Sequence, residues 1–300
     1  MVVVVIVAYF IFTSSGVSPS SSPLIGTPVS SDVLSYLSGV QPATLGYIGP
    51  GAGSALTAVP ANYTAGGLTL NGKPEFLYMG AEYCPYCASE RWALIVALDQ
   101  FGSFTGLQYM QSSSSDIYPS TSTFTFLHAN YTSNYISFVP VETEDRSENP
   151  LQTPTAAETA LENTFDTGPN GPSIPFLDIG NKYTLVGSQV NPPNLRVGQS
   201  ATGAPYNWTQ IGSQLNNQSN IFAQSIDGAA NRLIGAICAV DGSQPTSICT
   251  NAITPTVTAT DSYVVHPSAV SQPLVSDATL VVPQNPAMPS RYSSTQTSWV

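Results

Sequence analysis

Two rhythms of apolar residues alternate along the middle of the chain. Phe76-Leu77-Tyr78-Met79 is an unbroken apolar run between Lys73-Pro74 and Gly80, the pattern of a central strand in a small sheet. Beyond Tyr83 the spacing turns helical: Trp92, Ile95, Val96 and Leu98 predict a helix that begins at Cys84 and Cys87. Its polar face starts at Glu90 and Arg91, and Phe101-Gly102 closes it. Leu107 to Met110 and the alternating stretch Thr121 to Leu127 read as strands around a loop at Ser112 to Ser115, and Tyr135 to Val141 as a strand within an insertion. Ala156, Ala160, Leu161 and Phe165 mark a crossover helix over Thr153 to Phe165. Pro175 then heads a short apolar strand ending at Ile179. Gly180-Asn181 turns it into a second strand, Lys182 to Val186, and Ile221 to Ala239 supplies a closing helix.

That order, strand, helix, strand, helix, hairpin, helix, predicts a three-layer α+β domain over residues 72–250. Upstream, Met1 to Phe12 is apolar apart from Tyr9. It is shorter than a membrane span and lacks the basic start of a secretory signal, so it is expected to be the remnant of a hydrophobic anchor or signal, with a buried packing segment as the alternative. Residues 13–71 form a spacer and N-terminal extension rich in Ser, Pro and Gly. Ser31-Asp32 caps a short helix with Val33, Leu34 and Leu37, and Gly46 to Gly67 reads as loop. Residues 251–300, rich in Thr, Val and Pro, form a tail that is either an extended strap or disordered. No internal repeat is present.

The chemistry concentrates in Gly80-Ala81-Glu82-Tyr83-Cys84-Pro85-Tyr86-Cys87, two cysteines two residues apart between a strand and a helix. At a helix N-terminus the unpaired backbone N–H groups favour a thiolate. This makes Cys84 the expected nucleophile and Cys87, one turn in, the resolving thiol. Pro85 replaces an N–H that would have no partner there. The spacing pairs Cys84 with Cys87 and Cys238 with Cys249; the second pair is expected to be a structural disulfide, with a relay to Cys84 as its functional alternative.

The run FLYMGAEYCPYC resembles the strand and active-site segment of thioredoxins, and Pro85-Tyr86 is the dipeptide typical of glutaredoxins. The block from Gly72 to Gly102 is similar to an uncharacterised family of membrane-anchored thioredoxin-like proteins from thermoacidophilic archaea, catalogued as a domain of unknown function. The similarity extends over roughly residues 30 to 250. It implies a thioredoxin-like fold with insertions and terminal extensions, a cis-proline at Pro175 facing the cysteines, and a backbone at Ile174 that pairs with an extended substrate segment. Tyr78 stands where thioredoxins keep a buried acid that helps deprotonate the resolving cysteine. Tyr83 and Tyr86 are expected to form a shallow apolar rim around a sulfur open to solvent.

Charged residues are 8% of the chain, and seven basic residues against a formal net charge of −11 offer no footprint for nucleic acid. A surface polar without being ionic suits an acidic medium. Sequons at Asn62, Asn130, Asn207 and Asn217 agree with export and glycosylation. No cofactor or metal is expected: His128 and His266 lack zinc-ligand spacing with the cysteines, and Glu142, Glu144, Asp145 and Glu148 read as a solvated loop and not as a calcium site. The expected function is an extracytoplasmic, membrane-anchored or secreted thiol-disulfide oxidoreductase of the oxidase or isomerase type. Its partners are protein thiols or disulfides and a membrane redox partner or envelope complex. The alternative is a non-catalytic adaptor or structural subunit of a cell-envelope or membrane complex.

Overall fold

The computed structural model describes residues 21–250 except 64, 169 and 170; the expected anchor at 1–12 and tail at 251–300 lie outside these. In chain order the first elements are α1 (Ser31–Ser38), α2 (Pro42–Ile48), β1 (Thr57–Ala58), β2 (Thr69–Leu70), β3 (Lys73–Gly80) and α3 (Pro85–Asp99). Next come β4 (Gly102–Thr105), β5 (Gln108–Gln111), β6 (Ser122–Thr125), β7 (Asn130–Ser133), β8 (Ser137–Glu142) and α4 (Ala156–Phe165). The last are β9 (Phe176–Ile179), β10 (Tyr183–Val186), α5 (Trp208–Gly212), α6 (Ile221–Val240) and α7 (Thr246–Cys249).

The fold is α+β, and its mixed sheet is built around β3. On one side β8 runs parallel, from Ser137 beside Glu75 to Glu142 beside Gly80. On the other, β9 runs antiparallel, followed by β10 and β1. The expected insertion strand thus pairs directly with β3. The pleat sends successive side chains to opposite faces. Phe76 and Tyr78 join the larger core with Trp92 and Leu94 of α3 and Leu233 and Ile237 of α6, while Leu77 and Met79 meet Val141 and Phe176, with Leu161 and Phe165 of α4 packed against them. Helices therefore cover both faces of β3, which is why its sequence is apolar without alternation.

Helix α3 corrects the expected polar face. Glu90 and Arg91 are as fully buried as Trp92, because α3 lies inside the molecule; Arg91 pairs with Glu142, and Glu90 accepts from the Ser188 hydroxyl and the Gln189 N–H. Gly102 also does not close the helix, which ends at Asp99. It begins β4, where an added Cβ would come within 2.2 Å of the Thr132 carbonyl oxygen.

The N-terminal extension is part of the core from residue 29 onward. Val29, Val33, Leu37, Leu45 and Leu56 are buried. At about 1.5–3 kcal/mol for each buried apolar side chain, their loss would rival the whole net stability of a domain, about 5–15 kcal/mol. The glycine-rich loop after α2 docks on α6: Asn231 Nδ2 donates to the Leu45 and Gly49 carbonyls, and Arg232 donates to those of Pro50 and Gly51. Gly51 and Gly228 let the two backbones touch, since a Cβ on Gly228 would lie 2.7 Å from the Gly51 Cα.

Three buried carboxyl groups make this core sensitive to pH. Glu90, Asp178 and Asp227 are 0% exposed. Oε1 of Glu90, Oδ2 of Asp178 and both oxygens of Asp227 have no hydrogen-bond partner among the described residues. Burial pushes Glu90 and Asp178 up to about 7 and Asp227 up to about 8. Between an ordinary carboxyl value near 4 and these values, the folded chain holds protons that the unfolded chain has released, so stability is greatest below about pH 4 and falls as pH rises to about 8. Thermal unfolding followed from pH 3 to 8 should show the highest midpoint at the acid end. Asp227→Asn should raise the midpoint at pH 8 by roughly 5 °C and leave it nearly unchanged at pH 3. Unfolding of the parent near pH 4 would contradict this account.

Candidate functional site

Strand β3 ends at Gly80, and the chain crosses the edge of the sheet through Ala81, Glu82 and Tyr83 to Cys84, the N-cap of α3. Helix N-termini leave amide donors unpaired, and a Ser or Asp oxygen usually accepts one. Here sulfur does so: the Cys87 N–H donates to Cys84 Sγ at 3.1 Å, with Pro85 in the first turn. Both thiols are unbonded. Cys87 is 0% exposed. Burial raises its pKa well above the ordinary thiol value, the Cys84 sulfur beside it adds to the rise, and the Arg91 charge opposes it.

The sheet register brings the proline segment to the same place. Met79 lies opposite Phe176. Extending that pairing sets residues 174 and 175 beside the turn leading to Cys84. The Ile174–Pro175 peptide is cis, and the Cys84 thiol faces the Ile174 carbonyl oxygen at 3.8 Å. Asp166 Oδ2 accepts the Ser173 N–H at 2.5 Å and the Pro175 carbonyl accepts the Gly187 N–H at 2.8 Å, which fix the segment from both sides.

The open sulfur expected from the sequence is not found: Cys84 is 2% exposed. Tyr83 and Tyr86 are half-buried beneath the β5–β6 connection, which the sequence marked only as loop. Its Ser113 N–H donates to the Tyr83 carbonyl at 2.8 Å, and the Tyr118 ring meets that of Tyr86 edge-on at 5.8 Å.

Beneath the cysteines lies a polar floor that the sequence reading missed. Arg91 Nε and Nη2 donate to the two carboxylate oxygens of Glu142, at 3.0 and 2.5 Å, and Nη2 also reaches the Ala81 carbonyl at 2.8 Å. Both side chains are 0% exposed. Burial works against the guanidinium charge, but Glu142 more than offsets this and raises the Arg91 pKa. Glu142 therefore does not belong to a solvated acidic loop; Glu144, Asp145 and Glu148 follow it at greater exposure. Glu82 accepts from Thr125 Oγ1 at 2.6 Å, and burial raises its pKa. Tyr78 is 0% exposed, its hydroxyl has no hydrogen-bond partner among the described residues, and the Arg91 guanidinium carbon lies 5.7 Å from its ring centroid. A lone arginine midway along an apolar helix in a chain this poor in charge was the signal available for this cluster.

Away from the site, Cys238 and Cys249 form a disulfide between the end of α6 and α7. Asn62, Asn130, Asn207 and Asn217 are all exposed, Asn207 as the N-cap of α5. No cluster of three or more metal-ligating side chains is present among the described residues. His128 is exposed, and His266 lies outside the described residues.

Breaking a buried ion pair strands a charge, whereas replacing both partners with apolar groups does not. Arg91→Met should therefore cost about 3–5 kcal/mol in denaturant unfolding, and Arg91→Met with Glu142→Met should recover much of that loss. A loss below about 1 kcal/mol in the single variant would show that the pair does not hold α3 to the sheet.

A family model described as a domain of unknown function (DUF929) matches residues 61–168, a span that runs from before β3 to just past α4 and includes both cysteines of the pair. No curated protein and no solved structure matches the chain.

Proposed function

We propose that this chain is a thiol-disulfide oxidoreductase with a thioredoxin-like arrangement, working through the Cys84–Cys87 pair. The observation that carries the reading is the approach of Cys84 Sγ to the Ile174 carbonyl, 3.8 Å across ninety residues of sequence. A sulfur that caps a helix thus lies beside the backbone that leads into β9, where we take a substrate strand to pair. In the forward step a Cys84 thiolate attacks a substrate disulfide, forming a mixed disulfide and releasing one substrate sulfur as thiolate. Cys87 then loses its proton and attacks Cys84 Sγ, which expels the second substrate thiolate and leaves the Cys84–Cys87 disulfide. Run in reverse, the same steps oxidise a dithiol substrate. Ile174, Pro175, Tyr83 and Tyr86 are the surfaces proposed to hold the substrate.

The proposed setting is outside the cytoplasm, tethered through the N-terminal apolar segment, with protein thiols or disulfides as substrates and a membrane redox partner or envelope complex recycling the pair. The Cys238–Cys249 disulfide and the four exposed sequons agree with an oxidising compartment. None of the described helices is long and apolar enough to cross a membrane. Tyr78 in place of an acid, and the Pro-Tyr dipeptide, favour oxidation or isomerisation over reduction.

One observation favours a second reading, a non-catalytic adaptor: the 2% exposure of Cys84. Insulin reduction and oxidation of a reduced protein substrate separate the two. Cys84→Ser should reduce both activities to background, and Cys87→Ser should accumulate a mixed disulfide at Cys84. The couple should have a reduction potential near −120 to −200 mV, whereas a value below about −300 mV, or a Cys84→Ser variant with unchanged activity, would favour the adaptor.

A further inference from the structure

We infer that the tip of the loop joining β5 to β6 is a gate over the Cys84–Cys87 pair, which must swing aside before another sulfur reaches Cys84. This goes beyond the proposed function, because a gated thiol is gated whether or not the pair turns over.

The base of the loop is secured. Past the Gln111–Ser122 pair the hairpin ladder continues, with the Ser112 N–H donating to Thr121 O at 3.0 Å and the Ser120 N–H to Ser113 O at 2.9 Å. Arg146 Nε donates to the Gln111 and Ser112 carbonyls, both at 3.0 Å, and its Nη2 to Ser120 Oγ at 3.2 Å. Arg196 Nη1 donates to the Pro119 carbonyl at 2.8 Å and Thr121 Oγ1 at 3.4 Å. Two of the seven basic residues in the chain thus fasten the base of one loop.

The tip is held differently. Ser114 and Ser115 are exposed, and Ile117 is 46% exposed. Against the redox segment, the Ser113 N–H donates to the Tyr83 carbonyl and the Tyr118 ring meets that of Tyr86 edge-on, while the Tyr118 carbonyl accepts from Thr121 Oγ1 at 2.9 Å and Ser112 Oγ at 3.3 Å. These are neutral contacts, weaker than the charge-assisted bonds at the base, so local opening begins here. Tyr83 and Tyr86 flank Cys84, so lifting the Tyr118 ring from Tyr86 loosens one flank of the sulfur, while Ser113 stays with the base through the Ser120 N–H.

Disulfide exchange requires the incoming sulfur to reach Cys84 Sγ directly. With 2% exposure and the Ile174 carbonyl at 3.8 Å, the closed form leaves no such approach. Reaction then proceeds through the open form, at a rate scaled by its population.

The test is the rate at which iodoacetamide alkylates Cys84 in the reduced full chain, read by peptide mass spectrometry. The folded parent should react at least about tenfold more slowly than the urea-unfolded chain, and Tyr118→Ala should recover about fivefold or more, whereas Tyr118→Phe, which keeps the ring contact, should stay near the parent rate. Amides of residues 114–118 should exchange with deuterium much faster than those of α3. A parent thiol as reactive as in the unfolded chain overturns the gate, as does an unchanged rate in Tyr118→Ala. Should Tyr118→Ala fail to fold, the exchange pattern of the parent decides, and a tip protected as strongly as α3 overturns the proposal. Loss of the redox reading would appear separately, as unchanged activity in Cys84→Ser.

Discussion

The guanidinium of Arg91 joins the three parts of the molecule that the site needs. It belongs to α3, its fork closes on Glu142 at the end of β8, and one of its nitrogens also holds the Ala81 carbonyl in the turn that leads to Cys84. Glu142 in turn accepts the Phe126 N–H at 3.2 Å, tying in the end of the β6 segment. Where charge is this scarce and water is excluded, a bidentate pair fixes orientation as well as distance. It also raises the stakes, because every group that it satisfies is buried.

From this anchor the position of the cysteines follows by simple geometry. Strand β3 runs parallel to β8 and antiparallel to β9, so its C-terminal end lies beside the start of β9. The turn after Gly80 must therefore pass the Ile174–Pro175 segment, and the helix that follows presents its first amides to Cys84. The sulfur then serves two local purposes: it takes up the Cys87 N–H, and it faces a backbone carbonyl across a gap of van der Waals size. Neither contact needs a charged side chain at the surface. That agrees with a protein whose exterior is polar but only sparsely ionic.

The same economy of charge appears inside. Glu90 accepts from the Gln189 N–H and the Ser188 hydroxyl, yet keeps one oxygen unpartnered, and Asp227 has neither oxygen bonded among the described residues. A carboxyl left this way is tolerated when it carries its proton, and becomes a burden when it does not.

Local pattern determined much of this protein. The apolar run at Phe76–Met79, the turn at Gly180-Asn181 and the CxxC at a helix start are all nearest-neighbour features, and each is legible because backbone sterics and hydrogen bonding act over a few residues. Long-range packing decided the rest. The polar face assigned to Glu90 and Arg91 is buried, because helical spacing records which residues share a face and not what covers it. The N-terminal extension contributes to the core, because its short apolar stretches gain meaning only against α3 and α6. The loop packed on Tyr83 and Tyr86 lies some thirty positions away in sequence, and its serines and tyrosine carry no signal of where the chain will fold them. Contacts between distant segments depend on the path of the whole backbone, and no window of sequence contains that path.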